Sequence, residues 1–413
     1  MPVLLEEDLK MQLPRMIKVR QKFASEHIMN VEQAIRQELE QEKIKSLVTP
    51  GQSVAVAVGS RGINNLSKIV KVTINYLKEL GAVPFIVPAM GSHGGATAQG
   101  QLAVLHGYGV TEQEMGVPIK SSMEVTLLGS TPKGIPVYVD KNALAADMVV
   151  VINRIKPHTG FRGPIESGIC KMLAIGLGKH VGCSRLHQEG RSDFSSVLVS
   201  VAETFLAKAN FGFGLAIVEN AFDQTALVKA VVKEELLTEE QRLLSKAKNL
   251  LPALLLSKID VLLVEQVGKD ISGPGMDPNI IGRHSALTEV SGYNGPMIER
   301  IVVLDLSEGT HGNATGIGTA DFITRKVLDK IDFTATYANQ IAARNPAGGR
   351  IPITMETERE ALIAAIKCCR NINENGPCIV RIKDTLHLSE IWMSENMLPL
   401  IAGNKLLEII ECI

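Results

Sequence analysis

Apolar positions along this chain switch repeatedly between a period of two and a period of about 3.6, and the switches mark strands and helices in alternation. SVAVAVG (53–59) reads as a strand, SKIVKVTINYLKELG (67–81) as a helix closed by a glycine, and VPFIVPA (83–89) as a strand. The loop MGSHGGA (90–96) leads into a helix over 97–109. MEVTLLG (123–129) and IPVYVD (135–140) flank the turn STPKG and predict a hairpin. DMVVVIN (147–153) carries the continuous apolar run of a strand buried on both faces of a parallel sheet. A helix is expected over 195–210 and a strand at 214–220, before a charged helix at 233–256. A second series follows: strands at 258–266 and 300–306, helices at 319–331 and 356–372, a strand at 378–384 and a helix at 394–408. Ahead of the first strand lie a short apolar run, MIKV (16–19), and a polar helix over 30–48.

Strands alternating with helices predict the α/β class: two α/β domains with mostly parallel sheets and an active-site cleft between them. The expected domains are 1–256 and 257–393, with 394–413 a helix packing back on the first. At 413 residues the chain is long enough for both. Net charge is −1 and aromatic residues are 4% of the chain, so neither a basic field nor stacking residues favour nucleic acid. No apolar run approaches the ~20 residues that span a bilayer. The N-terminal segment MPVLLEEDLKMQLPR is acidic and lacks a signal-peptide core, which leads us to expect a cytoplasmic protein. Six cysteines without a CxxC pair fit reduced thiols, and burial is expected for Cys368 and Cys369 after an apolar helix.

The chemistry concentrates in NRIKPHTGFRGPIESGICKMLAIGLGKHVGCSRLHQEG (153–190), directly behind the VVVI strand, where open α/β sheets bind ligands. Lys171 and His187 are sixteen apart and would face nearly opposite ways on one continuous helix, so the chain should break between them; Gly176, Gly178 and Gly182 are the candidate breaks. Three strand-end loops carry polar anchors among glycines. GSRGIN (59–64) offers Arg61; MGSHGGAT (90–97) offers Ser92 and His93; KPHTGFRG (156–163) offers Lys156, His158, Gly160 and Arg162. Two histidines on separate loops suit acid/base work on opposite faces of a small substrate, and an arginine suits a carboxylate or phosphate. In the second half, GKDISGPGMDPN (268–279) carries Lys269, and the loop at 305–321 carries Glu308, His311 and Asp321, a cluster with no assigned task. GIG and GLGKH fail the GxGxxG and P-loop frames, and no HExxH occurs.

The order Arg61, His93, His158, Lys171, His187 resembles the nickel-dependent lactate racemase family across most of the chain. The resemblance implies a nickel-pincer nucleotide tethered through a thioamide to Lys171, with His187 as the nickel ligand. It implies His93 and His158 as general acid and base, Arg61 and Lys269 as substrate-binding residues, and Ser92 and Gly160 near the cofactor. It implies racemisation or epimerisation of a 2-hydroxy acid, lactate-like or a sugar acid, by hydride transfer, and cofactor-maturation proteins as partners. The chain departs from the family where RGPIESGIC separates Phe161 from Lys171 and where the family's tyrosine-rich segment is replaced by GKDISGPGMDPNIIGR, so that Lys269 or Arg283 would stand in for its substrate-binding lysine. This is the pattern of a divergent branch. Two other readings stay open on the residues alone: a cofactor-free lyase or dehydratase, and a non-catalytic ligand-binding homologue.

Overall fold

A computed structural model describes residues 3–60, 62–189, 193–285, 293, 295–370 and 372–412. It divides into two compact units, Ala24–Leu251 and a second formed by Met1–Phe23 with Pro252–Ile413. The strands in chain order are β1 (Met16–Gln21), β2 (Ser53–Val58), β3 (Val83–Pro88), β4 (Val125–Ser130), β5 (Pro136–Asp140), β6 (Met148–Arg154), β7 (Phe211–Glu219) and β8 (Thr225–Val232), followed by β9 (Lys258–Val264), β10 (Met297–Val303), β11 (Phe322–Thr324), β12 (Ile353–Met355), β13 (Ile379–Ile382), β14 (Glu390–Ser394) and β15 (Leu407–Cys412).

In the first unit the sheet order is β3-β2-β6-β7-β8, parallel except for the antiparallel pair β7–β8. The predicted hairpin is the separate ribbon β4–β5. Along β2, Val54, Val56 and Val58 join one apolar layer while Ala55 and Ala57 join the other, and β6 alternates likewise. Both faces are therefore covered, as a parallel sheet requires. The chain leaves β2 for β3 on one side and returns past it to β6 on the other. The crevice between the carboxyl ends of β2 and β6 is thus the topological switch point.

The second unit's sheet runs β12-β11-β10-β9-β13-β14-β1-β15, parallel from β12 to β13 and antiparallel beyond. Here several expectations change. The segment 394–413 holds only a short helix, Leu398–Gly403; its end is the strand β15, paired with β1 inside the second unit rather than packed on the first. Residues 1–23 likewise belong to the second unit, because β1 is held between β14 and β15. The helix expected at 319–331 is split by β11, leaving Arg325–Lys330 helical, and the helix expected at 30–48 breaks into Val31–Leu39 and Glu42–Lys45. The helix before the cysteine pair ends at Lys367, so Cys368 is exposed and Cys369 half-buried. Among the described residues no helix is long and apolar enough to cross a membrane.

One close approach positions the site. The turn Ile169–Lys171 lies on the alanine-bearing face of the sheet, and Ile169 presses on Gly214 of β7, where a Cβ would lie 3.0 Å from Cγ1 and closer still to Cδ1. Gly214→Ala should therefore lower stability by roughly 1–3 kcal/mol, the usual cost of overpacking. Gly107→Ala, with open space at its Cβ, should be neutral or stabilising. Urea midpoints of the two variants against the parent check this.

Candidate active site

The loops after β2, β3 and β6 leave adjacent parallel strands at one sheet edge. Arg61 lies outside the described residues. Its neighbour Ser60 sets its hydroxyl against His93 Nδ1. The Tyr108 hydroxyl donates to the Ser60 carbonyl at 2.9 Å. His93 and Ser92 are exposed, and Ser92 Oγ lies 3.7 Å from Cys183 Sγ. The His93 loop is pinned from beneath. The buried Gln101 amide donates to the carbonyls of Gly91 (2.9 Å) and His93 (3.3 Å), and Gly91 N–H donates to Gly176 at 3.1 Å.

After β6, Lys156 and Ser167 exchange backbone hydrogen bonds and close a loop. Inside it the buried Glu166 carboxylate accepts the His158 N–H at 2.7 Å and pairs with Arg162 at 3.2 Å and Lys248 at 2.7 Å. His158 Nδ1 accepts the Gly160 N–H at 2.9 Å. The imidazole stacks on Phe161 with centroids 4.2 Å apart. Phe161 meets Phe194 at 4.9 Å, and Phe194 stacks on His187 at 5.6 Å. A ladder of rings thus links His158 to His187.

Lys171, half-buried, ends a short α-turn whose start is fixed twice. Asn153, at the end of β6, donates to the Gly168 carbonyl at 2.8 Å, and Glu240 accepts the Cys170 N–H at 3.0 Å. Gly168 must be glycine, since a Cβ there would strike Glu240 Oε1 and sit 2.5 Å from Ile155. Met172 packs on Gly59 at the end of β2, where a Cβ would lie 3.3 Å from its sulfur and 3.6 Å from Asn153. The Lys171 turn therefore covers the switch point. The break between Lys171 and His187 exists, but its agent is not a glycine. A π-helical run, Met172–Gly176, gives way at Lys179, whose φ is +53°, to the helix Lys179–Leu186, with His187 exposed at its end. Gly176 and Gly178 serve close packing instead, with Cβ positions 2.8 Å from the Ala89 carbonyl and 2.7 Å from that of Ala174.

Lys179 tolerates this strained backbone because its side chain is fully enclosed and paired. The amine donates to Pro88 at the end of β3, to Gln101 at 3.1 Å, and pairs with Asp140 at 3.2 Å. Burial pulls its pKa down, and Asp140 opposes the shift. Sequence reasoning assigned no role to Lys179, Glu166 or Glu240. Glu240 left a signal: with Leu236, Leu243, Leu244 and Ala247 it lies on the apolar stripe of its helix.

Lys269 belongs to the second unit, beyond β9, where its amine meets Asn339 and its N–H donates to Thr310 at 3.1 Å. Arg283 is committed to Asp321 at 3.1 Å and to the Ile298 carbonyl at 2.6 Å. Asp321 also accepts Ile301 N–H at 2.7 Å, which gives it a structural task. Glu308 and His311 are exposed on the loop after β10.

Residues 5–193 match the sequence profile of the lactate racemase N-terminal domain. Over that segment the chain is similar to the lactate racemase family. A solved structure of the lactate racemase apoprotein from Thermoanaerobacterium thermosaccharolyticum shares its fold, with a TM-score of 0.53 and 14% identity, over 90% of this chain and 99% of that one. Among curated proteins none matches by sequence.

The buried Glu240 has a consequence for stability. Burial raises its pKa from 4.5 to about 7, against hydrogen bonds from Cys170 and Ile169 that lower it. The folded state therefore holds a proton that the unfolded chain loses near pH 4.5. Glu240's contribution to stability is full below that pH and is lost as pH rises through 7, a change of about 3 kcal/mol. Glu240→Gln should flatten the dependence of the urea midpoint on pH between 4.5 and 7.

Proposed function

We propose that this chain racemises or epimerises a 2-hydroxy acid, lactate-like or a sugar acid, with a nickel-pincer nucleotide tethered to Lys171. The observation that carries the reading is the meeting, at one sheet edge, of the Ser60–His93 pair, the Glu166-held His158 loop and the Lys171 turn over the switch point. The residues present fit such a group. Lys171 offers an amine for the covalent link, and His187 offers an imidazole, a common nickel ligand. Among the described residues no three His, Cys, Asp or Glu converge on a metal centre, so nickel here would rest largely on donors its carrier brings. When bound, the group supplies a hydride acceptor, which avoids a carbanion beside a carboxylate.

The chain's own groups do the rest. His93 and His158, on loops flanking β2, hold and return the proton of the substrate hydroxyl. Arg61 is proposed for the substrate carboxylate as a bidentate partner, Lys269 as a further substrate-binding cation, and Ser92 and Gly160 as contacts to the cofactor. Cofactor-maturation proteins are the proposed partners and the cytoplasm the proposed compartment.

Intact mass of protein from a host that makes the cofactor tests the tether. A covalent adduct and bound nickel are expected, both lost in Lys171→Ala. A nickel-loaded, fully active Lys171→Ala would remove the assignment, and turnover without any adduct would favour a cofactor-free lyase or dehydratase.

His93→Ala and His158→Ala should each keep the fold and the adduct while activity falls by ~10²–10⁴. Substrate carrying deuterium at the α-carbon should give inverted product that retains the label. Washout into ordinary water would replace the hydride route with carbanion chemistry.

A further inference from the structure

Glu166 holds the His158 loop, and the donors around it define what that hold does. Its side chain is fully enclosed. Oε2 accepts the His158 N–H at 2.7 Å and the Arg162 guanidinium at 3.2 Å. Oε1 accepts the Lys248 amine at 2.7 Å and the Gly163 N–H at 3.4 Å. A carboxylate has about four lone-pair sites, and these donors use them all. They come from both ends of the 158–163 turn and from the helix Leu236–Leu250. Arg162 also donates to the His158 carbonyl, tying the turn to itself.

Held in this way, the turn aims the Gly160 N–H at His158 Nδ1. A backbone amide can only donate. Nδ1 must therefore be the unprotonated nitrogen, and the proton of the neutral ring sits on Nε2. His93 differs, because its Nδ1 faces the hydroxyl of Ser60, which can donate or accept.

We propose that Glu166 is the positioning residue of the site: by fixing the 158–163 turn it presents resting His158 as the Nε2–H tautomer, the form that holds a proton to give, while the Ser60 hydroxyl lets His93 rest in either form. The catalytic consequence rests on the racemase reading; the tautomer is a property of the chain alone.

The test uses full-length protein without cofactor, labelled with ¹⁵N-histidine. Long-range ¹H–¹⁵N correlations report the tautomer, with His158 assigned by loss of its signals in His158→Gln. The parent should show the pure Nε2–H pattern for His158. Glu166→Gln sets an NH₂ against Lys248 and Arg162 and should give mixed tautomers at His158 with the His93 signals unmoved. Gly160→Pro, which removes the donor, should mix them too. An Nδ1–H pattern in the parent, or an unmixed Nε2–H pattern in Glu166→Gln, overturns the proposal. Should Glu166→Gln fail to fold, Lys248→Met takes its place: mixing is expected, and an unchanged pattern overturns. A protein with no adduct and no racemisation that keeps the expected spectra would sink the racemase reading and leave the role of Glu166 standing.

Discussion

The Lys179 ammonium sits where four pieces of chain must agree. Its amine donates to the end of β3 and to the helix below the His93 loop, and its charge pairs with Asp140 at the end of β5. Asp140 in turn donates its N–H to Leu177 at 2.7 Å, inside the run that begins at Lys171. An amine with no solvent cannot leave one of these partners unmet without a penalty of several kcal/mol. Each partner therefore fixes the others, and a left-handed residue is tolerated as part of the arrangement. The positions of the His93 loop and of the Lys171 turn follow from that single enclosed charge.

A second set of constraints comes from the helix Leu236–Leu250, which touches the site by two contacts of different character. Lys248 reaches Glu166 with a charge, and Glu240 reaches the Cys170 amide with a carboxyl whose burial favours the protonated form. The first holds the His158 loop and the second the start of the Lys171 turn. Glu240 also pushes the Cys170 thiol well above its ordinary range, after burial itself has done most of that work. Cys170 is thus an inert packing residue despite its place beside Lys171.

Much of the first unit was legible in the sequence, because its central strands are continuous apolar runs and its helices keep a 3.6 period between glycines. The α/β class and the loops at the strand ends followed from that pattern. What was illegible had a long-range cause. The segment Leu407–Cys412 alternates too little to separate a strand from a helix, and its partner β1 lies at the other end of the chain. β11 is three residues long, too short for any period to show. In the site, the histidines stood out by type and setting. Lys179 and Glu166 did not, since a lysine or glutamate in a glycine-rich stretch reads as solvated until its neighbours are known.

The π-helical run Met172–Gly176 lies directly after Lys171. Leu177 N–H reaches back five residues to Met172 at 2.8 Å, so this stretch holds one residue more than an α-helix would use over the same turn. It amounts to a single-residue insertion absorbed without disrupting the helix. Deleting one residue between 172 and 176 would let the run close as ordinary α-helix, at a rotation of about 100°. With the following helix locked by Lys179, that rotation would fall on Lys171 and swing it away from the crevice. The length of this segment is therefore a setting of direction: natural relatives that differ by one residue here would aim the same lysine elsewhere while keeping every residue of the motif.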